Sequence, residues 1–204
     1  MKKKIIITGG LGYIGTELCK LYSGVSWNNQ IIIIDNRFIS ERVNQIRNWN
    51  MQFVHGDILD KELINKYCQN ADVVHHLAGI TDVPRTQSES NEEKDNKIKI
   101  VAEEGTQNII NAVSKKCKII FPSTHVVYEG INKVKTNISE EDDSKPILTY
   151  SSSKASNEKQ LKNSGKNYVI LRLGSVYGYS TDTARIDIMP NLFSKIASQN
   201  GVIK

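Results

Sequence analysis

Short runs that are apolar at consecutive positions constrain this chain most: Ile5-Ile6-Ile7 and Ile31 to Ile34 are the purest of them. A strand with one wet face alternates apolar and polar residues, whereas an unbroken aliphatic run fits a strand covered on both faces, as in a parallel sheet. Six such runs are read, over 4–8, 30–35, 51–55, 72–76, 118–123 and 168–173. Helix-like segments lie between them at 13–22, 61–68, roughly 96–114 and 150–163. Strand and helix in repeated alternation predict an α/β fold, a doubly wound parallel sheet with right-handed crossovers. Two polar stretches, 81–97 and 132–145, read as excursions from that core, and long loops after sheet strands tend to be binding or lid segments. No internal repeat is evident, and residues 174–204 do not read as another full βα unit. They hold one amphipathic helix candidate, 190–199.

Composition excludes several classes. Hydrophobic residues at 39% and charged residues at 24% over 204 residues fit a globular domain and argue against disorder. The aliphatic runs are too short to cross a bilayer, and Met1-Lys2-Lys3-Lys4 leads into isoleucines and then polar sequence, unlike a secretory signal. The expected setting is cytoplasmic, with no membrane partner. The net charge of +5 is scattered among acids, and the dense run Lys2–Lys4 reads as the solvated flank of a strand, so no nucleic-acid partner is expected. Cys19, Cys68 and Cys117 are odd in number and widely spaced, so neither a metal site nor a disulfide is assigned.

The first strand runs into Thr8-Gly9-Gly10-Leu11-Gly12-Tyr13-Ile14-Gly15. Glycines at 9, 12 and 15, between a strand and a helix, suit a phosphate cradle. One makes a tight turn, one lets backbone N–H groups approach a pyrophosphate, and one lets helix and strand pack closely. The helix start then offers its partial positive charge to the phosphates. Asp35 ends the second strand, twenty residues after Gly15. A carboxylate there accepts hydrogen bonds from an adenosine ribose and repels a 2′-phosphate, which favours NAD over NADP. Asp57, after the third strand, either caps the next segment or reaches an adenine amino group, and the sequence leaves both open.

Tyr150 and Lys154 stand four residues apart on one face of a helix. They follow the fifth strand, whose carboxyl end carries Thr124, and ligands of open α/β sheets bind at such ends. Free tyrosine, with a pKa of about 10, is a poor base at neutral pH. One positive charge about 4 Å away, at an effective dielectric of about 20, contributes about 4 kcal/mol, roughly three pK units. Lys154 and an oxidised nicotinamide would supply that field, opposed by desolvation. Tyr150 then acts as general base, with Thr124 orienting the same oxygen and Lys154 holding ribose hydroxyls. His55, His75 and His76 read as packing or satisfied polar residues rather than ligands, and His125 as a loop histidine, with an acid/base role as the alternative.

Taken together these segments resemble the extended short-chain dehydrogenase/reductases, within them the NAD-dependent sugar-nucleotide epimerase/dehydratase family. The resemblance rests on the glycine segment 8–15, Ile34-Asp35-Asn36, Gly56-Asp57-Ile58, His76-Leu77-Ala78-Gly79, Gly105-Thr106, Ser123-Thr124 with Val127-Tyr128, Tyr150 and Lys154 with Glu158, and Arg172 to Gly178, in that order. It implies a Rossmann domain over 1–173 holding NAD, and the start of an incomplete substrate lobe over 174–204. It further implies a nucleotide-sugar substrate and a homodimer built on the helices that carry Gly105 and Tyr150. The cofactor-binding positions it carries over are Gly9, Gly12, Tyr13, Ile14, Gly15, Asp35, Asn36, Asp57, Ile58, Leu77, Ala78, Gly79, Tyr150 and Lys154, and the substrate-binding ones are Thr124 and Ser175. The implied activity is epimerisation through a transient keto-sugar. Dehydratases of the family resemble one another in an acid pair after the catalytic Thr, where this chain has His125-Val126, so epimerase is favoured. A carbonyl reductase and a non-catalytic dinucleotide-binding module are the alternatives. Three positions depart from the family pattern: Glu129 stands where glycine is usual, Ala102 where a cofactor-side asparagine is frequent, and Ser175 where a substrate-contacting asparagine is frequent.

Overall fold

In the computed structural model, residues 2–81, 89–180 and 188–202 are described. Six parallel strands form one sheet: β1 (Lys4–Thr8), β2 (Gln30–Asp35), β3 (Gln52–His55), β4 (Val73–His76), β5 (Lys118–Thr124) and β6 (Asn167–Leu173). They lie in the order β3-β2-β1-β4-β5-β6, the doubly wound parallel sheet expected from the sequence. Strand pairing explains the consecutive isoleucines. Ile6 registers with Ile32 on one side and Val74 on the other. Its side chain enters a core that includes Ile34, Ile109 and Phe121, while Ile5 and Ile7 enter a second core, with Ile31, Ile33 and Val43, on the opposite face.

Helices cover both faces. On one lie α1 (Tyr13–Ser23) and α2 (Ser40–Asn48), on the other α3 (Lys61–Cys68), α4 (Glu92–Ala112) and α5 (Thr149–Asn163). A last helix, α6 (Met189–Ser198), is exposed along its length, with Met189, Leu192 and Phe193 open to solvent. The outer strand β6 also exposes Val169 and Leu171.

Two helices differ from the sequence reading. The α2 helix was not expected, because its inward face is only Val43, Ile46 and a buried Arg42, too sparse for an apolar period. The α4 helix starts at Glu92, earlier than the expected 96, because the Asn91 side chain caps it by accepting from Lys94 N at 2.9 Å and three acids fill its first turn. The polar stretch expected over 81–97 is thus helix from 92, and its residues 82–88 lie outside the described ones.

Cys19, Cys68 and Cys117 are buried free thiols, and burial pushes them up to about 12, 12 and 11. Among the described residues no group of His, Cys, Asp and Glu is placed to hold a metal, and no helix is long and apolar enough to cross a membrane.

Candidate active site

Strand order reverses between β1 and β4, since β1 leads outward to β2 and β3 while β4 begins the other half of the sheet. A crevice opens at the carboxyl ends of strands at such a switch. The glycine turn sits there. Gly9 has φ +70°, and a Cβ on it would fall 2.7 Å from Ala78 N. A Cβ on Gly15 would fall 2.3 Å from Gly9 O, so this turn and the start of α1 are pressed together as the sequence predicted. Gly12 is the N-cap of α1, which has neither a capping side chain nor an acid in its first turn. An uncovered helix start of this kind suits an anion, and a dinucleotide pyrophosphate fits it.

The expected nucleotide-contacting residues lie on α1, α5, the end of β2 and the segments that follow β1, β2, β3 and β4. Asp35 is buried, its Oδ2 accepting from Leu11 N at 2.9 Å and its Oδ1 from Arg37 N at 3.0 Å. It therefore braces the glycine loop from beneath. The half-exposed Arg37 guanidinium pairs with it at 3.4 Å. Asn36 donates to Asp57 Oδ2 at 2.9 Å, while Asp57 Oδ1 accepts from Leu59 N at 2.9 Å; the cap of α3 is Asp60, which accepts from Leu63 N at 3.0 Å. The Ile58 side chain is buried, and its carbonyl accepts from Asn108 at 3.0 Å. Leu77, Ala78 and Gly79 follow β4 and form the wall opposite Gly9, with Ala78 N donating to Thr8 Oγ1 at 3.2 Å. Ile14 is exposed on α1. Tyr13 hydroxyl donates to Gly178 O and accepts from Asn191 Nδ2 at 3.3 Å, which ties the cradle to α6. Ser175 lies exposed in the segment after β6.

Beneath the crevice His76 is buried, with Thr8 Oγ1 at 3.0 Å and Thr106 Oγ1 at 3.1 Å from its two ring nitrogens. Burial, aided by the Lys154 charge, pushes it down to about 3, so it is neutral. His75 pairs with Tyr22 hydroxyl at 2.8 Å and His55 with Asn36 O at 3.0 Å. His125 Nδ1 lies 3.1 Å from Leu173 O. Each histidine thus has a polar partner within the chain.

The residues expected to be catalytic lie where β5 meets α5. Thr124 closes β5, is buried, and caps the 3-10 turn His125–Tyr128 by accepting from Val126 N at 3.3 Å. Tyr150 lies in the first turn of α5, with Lys154 one turn on. Lys154 Nζ is 5.9 Å from the Tyr150 ring centroid and 4.5 Å from that of Phe121, and donates to Pro122 O at 2.8 Å. The side chain is partly exposed, but its ammonium lies below the surface, and loss of hydration lowers it to about 8. Glu158, one turn further along the same face, is buried. It accepts from Ser123 Oγ at 2.5 Å and takes a two-pronged ion pair from Arg172, at 3.0 and 2.7 Å. That anchor fixes α5 against both β5 and β6, and with it the direction of Tyr150 and Lys154. A cavity of about 550 Å³, lined by His125, Tyr128, Glu129, Ser139, Glu140 and Arg172 among others, adjoins this group without containing Thr124, Tyr150 or Lys154.

Sequence reasoning noted Glu129 only as a departure. Its Oε1 accepts from Ile147 N and Leu148 N, each at 2.7 Å, and from the Ser151 hydroxyl, at the entry to α5. A sequence signal was present in part: Leu148 is a poor cap, and α5 has no acid in its first turn.

A glycine-bent turn at the switch point, with Thr124 closing β5 and Tyr150 and Lys154 on the helix packed against that strand, is the layout of the extended short-chain dehydrogenase/reductase type. The chain belongs to the NAD dependent epimerase/dehydratase family, which it matches over residues 5–203. Among relatives, it is 28% identical over 197 residues to a dTDP-D-glucose 4,6-dehydratase of Dictyostelium discoideum, covering 86% of this chain and 44% of that one. It is 34% identical over 149 residues to a CDP-paratose 2-epimerase of Salmonella typhi, covering 67% and 41%. Among solved structures, a variant UDP-glucuronic acid 4-epimerase from Bacillus cereus, in complex with UDP-4-deoxy-4-fluoro-glucuronic acid and NAD, superposes with a TM-score of 0.78 at 26% identity. The match covers 98% of this chain and 64% of that one. The chain spans less than half the length of each of these two relatives.

Proposed function

We propose that this chain carries the cofactor-binding and proton-transfer part of an NAD-dependent epimerase of nucleotide-activated sugars that works through a transient keto-sugar. The observation that carries the reading is Lys154 on α5, its Nζ 5.9 Å from the Tyr150 ring and donating to Pro122 O of β5, the strand that Thr124 closes. Gly9, Gly12 and Gly15 leave room for the pyrophosphate, and Asp35 takes the adenosine ribose on Oδ1 once Arg37 yields it. NAD⁺ bound there supplies a reversible hydride acceptor. Tyr150 Oη takes the proton of a sugar hydroxyl as that carbon becomes a ketone, and returns it when the ketone is reduced. Thr124 Oγ1 hydrogen-bonds to the same oxygen. Lys154 keeps positive charge beside the phenol and reaches the ribose hydroxyls in place of Pro122 O.

Epimerisation is favoured over dehydration because Val126 has no group that transfers a proton, and eliminating water needs a further acid and base. The reading includes a homodimer built on α4 and α5 and a cytoplasmic setting, to which three free buried thiols are suited. The test is Tyr150→Phe in the NAD-loaded chain. Conversion of a UDP-hexose to its epimer should fall at least about a thousandfold, while NAD affinity stays within about twofold. An unaffected rate removes Tyr150 from the chemistry. Consumption of one NADH per product points instead to a reductase.

A further inference from the structure

Thr124 and Tyr150 must be held together for one oxygen to meet both, yet they sit on separate elements joined by a long connection, 129–148, that includes the polar excursion 132–145. The backbone ties the two ends of that excursion only as far as residue 145. Lys145 N donates to Val127 O at 2.7 Å, and Gly130 N donates to Lys145 O at 2.8 Å. The pairing stops there, because Pro146 has no N–H to continue it. Ile147 and Leu148 follow, with amides that face back toward the 3-10 turn.

The Glu129 carboxylate takes over where the backbone stops. It stands directly after the turn that Thr124 caps, and its Oε1 accepts from Ile147 N and Leu148 N, each at 2.7 Å, and from Ser151 Oγ. Ser151 is buried and adjoins Tyr150. Leu148, the N-cap of α5, has no side-chain oxygen of its own, so this carboxylate caps the helix from outside and places negative charge at its positive end. The same geometry accounts for the departure from the family's glycine. Here glycine stands one place later, at 130, where a Cβ would fall 2.5 Å from Lys145 O, and the close approach needed by the turn is kept.

We propose that Glu129 is a positioning residue for the reaction: it clasps the Thr124 turn to the first turn of α5 and so sets the distance between Thr124 and Tyr150. It is the second of two fixings, since Glu158 holds α5 two turns further on. The proposal rests on the proton-transfer role given above to Tyr150 and Thr124. Being an acceptor, the group is replaceable by an uncharged acceptor of the same length but not by a shorter or apolar one.

The test uses the full NAD-loaded chain as Glu129→Gln, Glu129→Asp and Glu129→Ala. Turnover of a UDP-hexose per NAD-occupied site should fall about 10- to 100-fold in Glu129→Ala, with KM within about threefold, since a misplacement of about 1 Å suffices for such a loss. Glu129→Gln should stay within about fivefold of the parent, and Glu129→Asp should fall between the two. Two readouts need no substrate. Exchange of the Ile147 and Leu148 amides should quicken in Glu129→Ala and not in Glu129→Gln. The ¹³Cζ-tyrosine resonance of Tyr150, assigned by its loss in Tyr150→Phe, should move or split in Glu129→Ala alone. A Glu129→Ala chain with parental turnover, exchange and resonance overturns the proposal, as does a Glu129→Gln chain impaired as deeply as Glu129→Ala. If Glu129→Ala does not fold, Glu129→Asp against Glu129→Gln makes the same comparison. A parent chain without turnover refutes the epimerase reading, while the resonance and exchange still decide the role of Glu129.

Discussion

Lys154 brings a positive charge under the surface, and the protein's stability should register it. Loss of hydration lowers its ammonium from 10.5 to about 8. Below pH 8 the native and unfolded chains both carry the proton, so stability does not vary with pH through this group. Above pH 8 the native chain releases it while the unfolded chain keeps it up to about 10.5. The unfolded state then binds more protons, so unfolding becomes harder as pH rises. At about 1.4 kcal/mol per pK unit, the gain between pH 7 and pH 10 is about 2.5 kcal/mol. The comparison chain is Lys154→Met, with both chains carrying Tyr150→Phe so that the phenol does not titrate. Urea unfolding followed by circular dichroism at the two pH values gives four stabilities. The lysine chain should gain about 2.5 kcal/mol on the methionine chain from pH 7 to pH 10, whatever is lost with the Pro122 hydrogen bond at both. A difference that stays flat would show that the ammonium is fully hydrated, and the reasoning about its field on Tyr150 would fail with it.

The cradle and the anchor give further expectations. Asp35→Ala removes the acceptor for Leu11 N and for the ribose, and should weaken NAD binding at least about tenfold by calorimetry while narrowing its preference over NADP. Gly15→Ala puts a Cβ 2.3 Å from a backbone oxygen, so the turn must move; a loss of about 1–3 kcal/mol and of the thermal shift given by NAD is expected. Glu158→Gln leaves the Arg172 charge without its partner and should cost about 3 kcal/mol in chemical denaturation at pH 7. Arg172 and Ser123 hold the Glu158 carboxyl below its usual 4.5, so its stabilisation is full at neutral pH and lost as acid protonates it. Stability of the glutamine chain should therefore fall less steeply below pH 4.5.

The sheet was legible because β1 and β2 carry three and four consecutive isoleucines, which fit a strand covered on both faces. The glycine turn was legible because Gly12 and Gly15 both crowd Gly9 O, a contact within a few residues of chain. Helix α2 was not, since Val43 and Ile46 are its only buried apolar residues and Arg42 donates to Leu11 O, a contact 31 residues away that leaves no period in the sequence. Tyr150 and Lys154 could be paired from their spacing, but the direction of that face is set by Glu158 meeting Ser123 and Arg172 across two strands. Glu129 read as an anomaly for the same reason: its three partners lie 18 to 22 residues away.

The pairing of β1 with β4 spans 68 residues, from Ile5 to Val73. A nascent polypeptide that has made only its first two strands therefore owns the glycine bend but lacks the floor beneath it, because His76, Ala78 and the Thr8 hydroxyl come together only when β4 arrives. Closing so long a segment is slow compared with winding α1. Dinucleotide capture is thus a late event of biogenesis, and it rewards chains that have assembled both halves of the sheet.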